Sequence, residues 1–112
     1  MRNIDSLKKT REFDRVYKVR CSVANRFLVM YQAEGTGKLG IVVSKKVGNS
    51  VVRHRLTRLI REAYRLNREI IPEDRDIIIV AREAAKEQGF TVIEQSFLEL
   101  LERHAFKSKE LK

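Results

Sequence analysis

The chain of 112 residues contains one cysteine, one proline, five glycines and no tryptophan. Cys21 alone cannot close an internal disulfide, so no covalent staple or disulfide-linked partner is expected, and nothing points to an oxidising compartment. With so little proline and glycine there is no collagenous, low-complexity or linker segment, and no internal repeat is visible. No apolar run approaches the roughly 18 residues of a membrane span. The start, Met1-Arg2-Asn3-Ile4-Asp5, lacks the apolar stretch of a secretory signal. The expectation is one cytoplasmic, globular domain over residues 1–112, of a size that buries a single core.

Acidic residues are scarce in one place. The net charge is +9, yet residues 45–68 carry eight Lys/Arg against Glu62 alone, while residues 69–112 are net acidic. A local excess of this kind attracts a polyanion, whether nucleic acid, an anionic membrane or an acidic protein.

Apolar spacing predicts the elements. Residues 6–19 read as a short helix with Phe13, Val16 and Tyr17 at helical spacing. Residues 26–33 alternate as a strand, with Phe27, Val29 and Tyr31 on one face and Leu28 and Met30 on the other. Glu34-Gly35-Thr36-Gly37-Lys38 reads as a hairpin loop to a partner strand over residues 39–44, and a weak extra strand is possible over residues 20–23. Asn49 or Ser50 caps a helix over residues 51–69, whose apolar stripe is Val52, Leu56, Leu59, Ile60, Ala63 and Leu66. Ile71-Pro72 ends it. Asp76-Ile77-Ile78-Ile79-Val80-Ala81 reads as a central strand buried on both faces, and residues 92–106 as an amphipathic helix through Ile93, Phe97, Leu98, Leu101 and Ala105. The order α-β-β-β-α-β-α suggests an α+β two-layer sandwich, helices packed on a mostly antiparallel four-stranded sheet.

Opposite the apolar stripe of the 51–69 helix lie His54, Arg58, Arg61, Arg65 and Arg68, within about 80° at roughly 100° per residue. Arg53 and Arg55 flank them, and Lys45 and Lys46 precede the helix. Guanidinium forks pair with phosphate oxygens through two hydrogen bonds, and a column of them repels itself unless a polyanion is near. The same helix lacks Trp and Phe on its apolar face, which argues against a membrane-surface role. Phe13, Tyr17 and Tyr31 are the aromatics that either join the core or stack on unpaired bases. Catalytic patterns are sparse. His54 and His104 are too isolated for a zinc site, and the Gly48 loop has the wrong spacing for a Walker motif. Glu73, Asp74 and Asp76 are the one acidic group that could hold magnesium for a protein-only nuclease.

The segment Ser44-Lys45-Lys46-Val47-Gly48-Asn49-Ser50-Val51-Val52-Arg53-His54-Arg55-Leu56-Thr57-Arg58-Leu59-Ile60-Arg61-Glu62 closely resembles the signature of the bacterial ribonuclease P protein family. The similarity extends through Leu7-Lys8-Lys9, Glu12-Phe13, residues 22–26, Leu39-Gly40-Ile41 and residues 76–82. His54 stands where the family usually has Asn, and Thr57 where it often has Lys. The resemblance implies a left-handed β-α-β crossover through the 51–69 helix. It also implies a division of labour in which a large RNA subunit, holding most of the magnesium, cleaves precursor tRNA while the protein binds that RNA and the 5′ leader. By position it implies that Lys46, Arg53, His54, Arg55, Arg58, Arg61 and Arg65 face the catalytic RNA. It places the leader on Phe13, Tyr17 and Tyr31, with Lys45 and Arg82 alongside, and assigns no catalytic or metal-binding role to a protein side chain. A general RNA-binding or ribosomal protein with no processing role is the alternative reading.

Overall fold

A strand that is apolar at nearly every position has to be covered on both faces, and this requirement organises the molecule. The computed structural model describes residues 4–104. Taken in chain order, the strands are β1 (Asp5–Ser6), β2 (Ser22–Ala24), β3 (Leu28–Glu34), β4 (Lys38–Val42) and β5 (Arg75–Ala81), and the α-helices are α1 (Thr10–Val19), α2 (Ser50–Leu66) and α3 (Phe90–Arg103). The strands form one sheet in the order β1-β4-β5-β3-β2, with β5 at its centre. Ile77 and Ile79 join a core with Leu56, Ile60 and Tyr64 of α2 and Ile93, Phe97 and Leu100 of α3. Ile78 lies on the opposite face with Val16 of α1, Ala33 and Leu7. Each such side chain, fully buried, stabilises the fold by about 1.5–3 kcal/mol.

The α+β class and the central, doubly buried strand are as the sequence predicts. Four details differ. The sheet has five strands, because Asp5–Ser6 adds a short parallel edge to β4. Its pairings are evenly mixed rather than mostly antiparallel: β5 runs parallel to β4 and antiparallel to β3. The expected hairpin is absent, since β5 sits between β3 and β4, registering Ile78 with both Tyr31 and Gly40. Helices also cover both faces, α1 on one and α2 with α3 on the other, so the architecture has three layers. The predicted weak strand is real as β2. The last helix ends at Arg103 in the described residues, and Ala105 and Phe106 lie outside them.

Two local devices hold the frame. Asn49 settles the start of α2, its side-chain oxygen accepting the Val52 N–H at 3.0 Å. The Asp76 carboxylate, 1 % exposed, fills the gap left by the separated strands. Its Oδ1 accepts the N–H groups of Thr36, Gly37 and Lys38 at 3.1, 3.0 and 2.8 Å. Its Oδ2 pairs with the Arg15 guanidinium, which also donates to the Glu34 carbonyl. The loop has to come this close: Gly37 has φ +90°, and a Cβ on Gly35 would collide with the Asp76 carboxylate.

Glu12 secures the start of α1. Its carboxylate accepts the N–H groups of Lys8 and Lys9 at 2.7 and 3.0 Å and meets the Lys38 ammonium at 3.2 Å. These contacts, the two backbone donors foremost, hold its pKa at about 2 against an ordinary 4.5. A depressed carboxylate stabilises the fold fully above its unfolded pKa and loses that contribution as pH falls through its folded one. The stability difference between wild type and Glu12→Gln is therefore expected to be constant at neutral pH and to shrink from about pH 4.5 towards pH 2. Urea midpoints across that window measure it, and a pH-independent difference would rule out the ionised carboxylate as the cap.

Candidate nucleic-acid interface

The apolar stripe of α2 turns Leu56, Ile60 and Ala63 into the core, together with Tyr64, which the stripe as read from sequence omits. Leu66, placed on the stripe, is instead 52 % exposed in the last turn of the helix. The opposite face is cationic, but its members are not equivalent. His54, Arg58 and Arg61 are exposed, and none has an acidic partner among the described residues. Arg53, Arg58 and Arg61, with Thr57, border a groove of about 560 Å³ floored by Ile41 and Val43. That groove follows β4 beyond Leu39, where β1 has ended and no strand lies alongside among the described residues.

Four arginines are engaged within the chain, Arg53 among them, its Nε donating to the Gly48 carbonyl at 3.2 Å. Arg65 donates to Glu62 at 2.6 and 3.0 Å, which lowers the Glu62 pKa. Such an exposed pair is worth little to stability and opens readily to a competing anion. Arg55 turns towards the loop before α3 and donates to the Lys86 and Gln88 carbonyls at 2.6 and 2.9 Å. Arg68, read from the sequence as part of the cationic column, lies over the Tyr64 ring at 5.2 Å and is corrected to a packing role.

On the other face of the sheet, α1 covers only part of the surface. Phe13 and Tyr17 project from it beside Tyr31 of β3, and all three rings are half-buried. Tyr17 meets Tyr31 edge-on at 4.8 Å, and Phe13 lies 6.5 Å from Tyr17. Phe13 rests on Gly40, where an added Cβ would come within 2.6 Å of the ring. The rings are therefore fixed in place yet retain exposed surface, with half-buried Val42 and Val80 beside them. This arrangement is neither a sealed core nor a set of free side chains, and partial burial raises the Tyr17 pKa. Unpaired bases stack on such surfaces for about 1–3 kcal/mol each.

A second depression, about 420 Å³, opens at the end of the sheet between Arg26, Ser44, Lys46, Arg82 and Glu83. Arg82 donates to the Asn25 carbonyl at 2.9 Å. Lys45 is exposed in the turn after β4, between the sheet and α2. Of these, Arg26 has no place in the sequence-derived site. Its one available signal is that it stands in the 22–26 segment of the family resemblance, as an isolated cation between Arg20 and Lys38.

The acidic group does not assemble a metal site. Glu73 and Asp74 are exposed, whereas Asp76 is turned inward and its oxygens are taken by backbone N–H groups and Arg15. Among the described residues no three His, Cys, Asp or Glu side chains converge on one point. His104 is engaged elsewhere, with Gln32 and the Met30 carbonyl at 2.8 and 3.2 Å, and burial lowers its pKa. No helix among the described residues is long and apolar enough to cross a membrane.

Comparison with known proteins gives one answer at three levels. The family model described as Ribonuclease P matches residues 1–105. The ribonuclease P protein component of Lachnoclostridium phytofermentans is 48 % identical over 103 residues, covering 89 % of each chain. The ribonuclease P protein of Staphylococcus aureus superposes with a TM-score of 0.82 at 37 % identity, covering 91 % of this chain and 96 % of that one. That of Thermotoga maritima gives 0.79 at 29 % identity, covering 88 % and 96 %. With a family model that matches nearly the whole chain, close sequence relatives and a shared fold, the chain belongs to the ribonuclease P protein family.

Proposed function

We propose that this chain is the protein subunit of a ribonucleoprotein endonuclease, ribonuclease P, and acts in removing the 5′ leader from precursor tRNA. The observation that supports this reading is the presence of two nucleic-acid surfaces on opposite faces of one sheet. The α2 face, with His54, Arg58 and Arg61 lacking an acidic partner among the described residues and Arg53 and Arg65 beside them, suits the folded backbone of the catalytic RNA. The Phe13–Tyr17–Tyr31 cleft suits a single strand, the leader, with Lys45 and Arg82 near its path. A general RNA-binding or ribosomal protein requires the first surface and gives no reason for the second.

The side chains present fit a binding role. With Asp76 committed to the loop, the described acidic residues do not converge into a donor set for a catalytic ion, and in this reading the magnesium that serves the reaction is held by the RNA subunit. The chemistry it supplies there is activation of water and stabilisation of the leaving oxygen. What this chain contributes is neutralisation of phosphate charge where the two RNAs approach and a fixed path for the leader. Both favour substrate binding when magnesium is limiting.

Precursor tRNA cleavage at limiting magnesium tests this, comparing protein alone, bacterial ribonuclease P RNA alone, and the two combined. Cleavage at the mature 5′ end that is strong only in the combined sample is the expected result. Cleavage by protein alone would return the chemistry to the protein. Tight RNA binding with no enhancement would leave a general RNA-binding protein.

A further inference from the structure

In the turn from β2 to β3, both polar atoms of the Asn25 side chain are engaged. Its Oδ1 accepts the N–H groups of Phe27 and Leu28 at 3.1 and 3.0 Å, the pattern by which asparagine fixes a tight turn. Its Nδ2 donates across to α3, to the Ser96 carbonyl at 3.0 Å and the Glu99 carboxylate at 2.8 Å. Arg103 reinforces the same junction, donating to the Ala24 carbonyl at 2.6 Å and meeting Glu99 at 3.3 Å. One carboxamide thus shapes the turn and anchors it to a helix that lies 71 and 74 residues further along the chain.

The same turn holds Arg82 at both ends. The Phe27 carbonyl accepts the Arg82 backbone N–H at 2.9 Å, and the Asn25 carbonyl accepts its Nη1 at 2.9 Å. Arg82 is exposed, and its other guanidinium N–H groups meet no acceptor among the described residues. The direction of the Asn25 carbonyl depends on the turn, and the turn depends on the Asn25 side chain. An unheld arginine gives up rotamer freedom when it grips an anion. One that is already held gives up less, and the difference appears as affinity.

We infer that Asn25 is a positioning residue for leader binding: by fixing the β2–β3 turn against α3 it aims the Arg82 guanidinium, without itself contacting RNA. The inference rests on the leader-binding reading above, in which Arg82 lies near the leader's path. A purely structural role predicts something different, since a weakened junction would lower stability and every RNA contact alike. Positioning acts through one guanidinium, so its effect vanishes once that guanidinium is gone.

The experiment is a double-mutant cycle in assembled holoenzyme, combining Asn25→Ala with Arg82→Gln and reading affinity for precursor tRNA and for mature tRNA. Asn25→Ala is expected to weaken precursor tRNA binding about fivefold, the loss for one long side chain that is no longer held in place. Mature tRNA affinity should be unchanged, and in the Arg82→Gln background the substitution should cost nothing further. Salt dependence separates the two residues. Arg82→Gln should flatten the logarithmic slope by about 0.7 for one single-strand phosphate, whereas Asn25→Ala removes no charge and should leave it as in wild type. Asn25→Ser keeps an acceptor for the turn but is too short to reach α3. It serves where the alanine variant folds poorly, and its loss should depend on Arg82 in the same way. Undiminished precursor affinity in the Asn25 variants, an equal loss for mature tRNA, or a loss that persists in the Arg82→Gln background would overturn the inference. If Arg82→Gln alone leaves precursor affinity unchanged, the leader reading of Arg82 fails, and the positioning role with it.

Discussion

Asp76→Ala is expected to lower folding stability by about 3–5 kcal/mol, the range for removing one member of a buried charge pair. Most of that cost falls on the loop. Arg15 is half-exposed and can turn to water, but the Gly37 N–H is buried and loses its acceptor along with those of Thr36 and Lys38. A melting temperature lower by more than about 10 °C is the corresponding thermal signal for a domain near 100 residues. Asp76→Asn, which keeps one carbonyl acceptor for the loop, should cost less. The same substitution releases the tether between α1 and the sheet, so Asp76→Ala should also loosen the Phe13–Tyr17 side of the cleft. A loss below about 1 kcal/mol, the net worth of one ordinary hydrogen bond, would show that water replaces the carboxylate and that the cage is not what joins β3 to β4.

The second large effect is on RNA assembly. The double substitution Arg58→Ala/Arg61→Ala removes two exposed cations with no partner among the described residues, so folding should hardly change while affinity for the catalytic RNA falls by roughly 100-fold. The logarithmic salt slope should flatten by about 0.9 for each phosphate that is no longer neutralised. Arg55→Ala is the informative contrast. Its guanidinium ties α2 to the carbonyls of Lys86 and Gln88, so its removal should show first in stability and leave the salt slope of the folded protein nearly unaltered. Should Arg55→Ala flatten the slope as much as Arg58→Ala, the backbone tether would have to yield to RNA on binding.

Much of this was readable from side-chain spacing. The doubly buried strand, the capped cationic helix and the three aromatics each follow from a local pattern, and local patterns survive folding. Strand neighbours do not follow from local patterns. A polar loop of three residues between two strands suggests a hairpin, yet the four Cα–Cα steps from Glu34 to Lys38 reach at most about 14 Å, enough to cross two strand spacings of about 4.8 Å each. β5 takes the place between them because it alone is apolar on both faces along most of its length. The same non-locality hid Asp76, which reads as a solvent-facing acid beside Glu73 and Asp74 until the loop from residues 35–38 closes around it. Arg68 was misleading for a different reason: helical angle gives the direction of a Cα–Cβ bond, whereas a long guanidinium side chain can reach back to a ring well off that direction.

The insertion of β5 between β3 and β4 sets an order of events for a chain growing from its N-terminus. When residues up to about Leu66 have been made, β2–β3 and β1–β4 can exist only as two separate ribbons, each with one long edge bare and without the strand that joins them. Closure requires Arg75–Ala81, and the helix that seals the α2 side, α3, comes later still. The pairing that completes the sheet therefore waits for nearly the whole polypeptide, and bringing so many distant segments together is slow compared with forming a local hairpin. Until then the two bare edges are the surfaces most exposed to pairing with other chains.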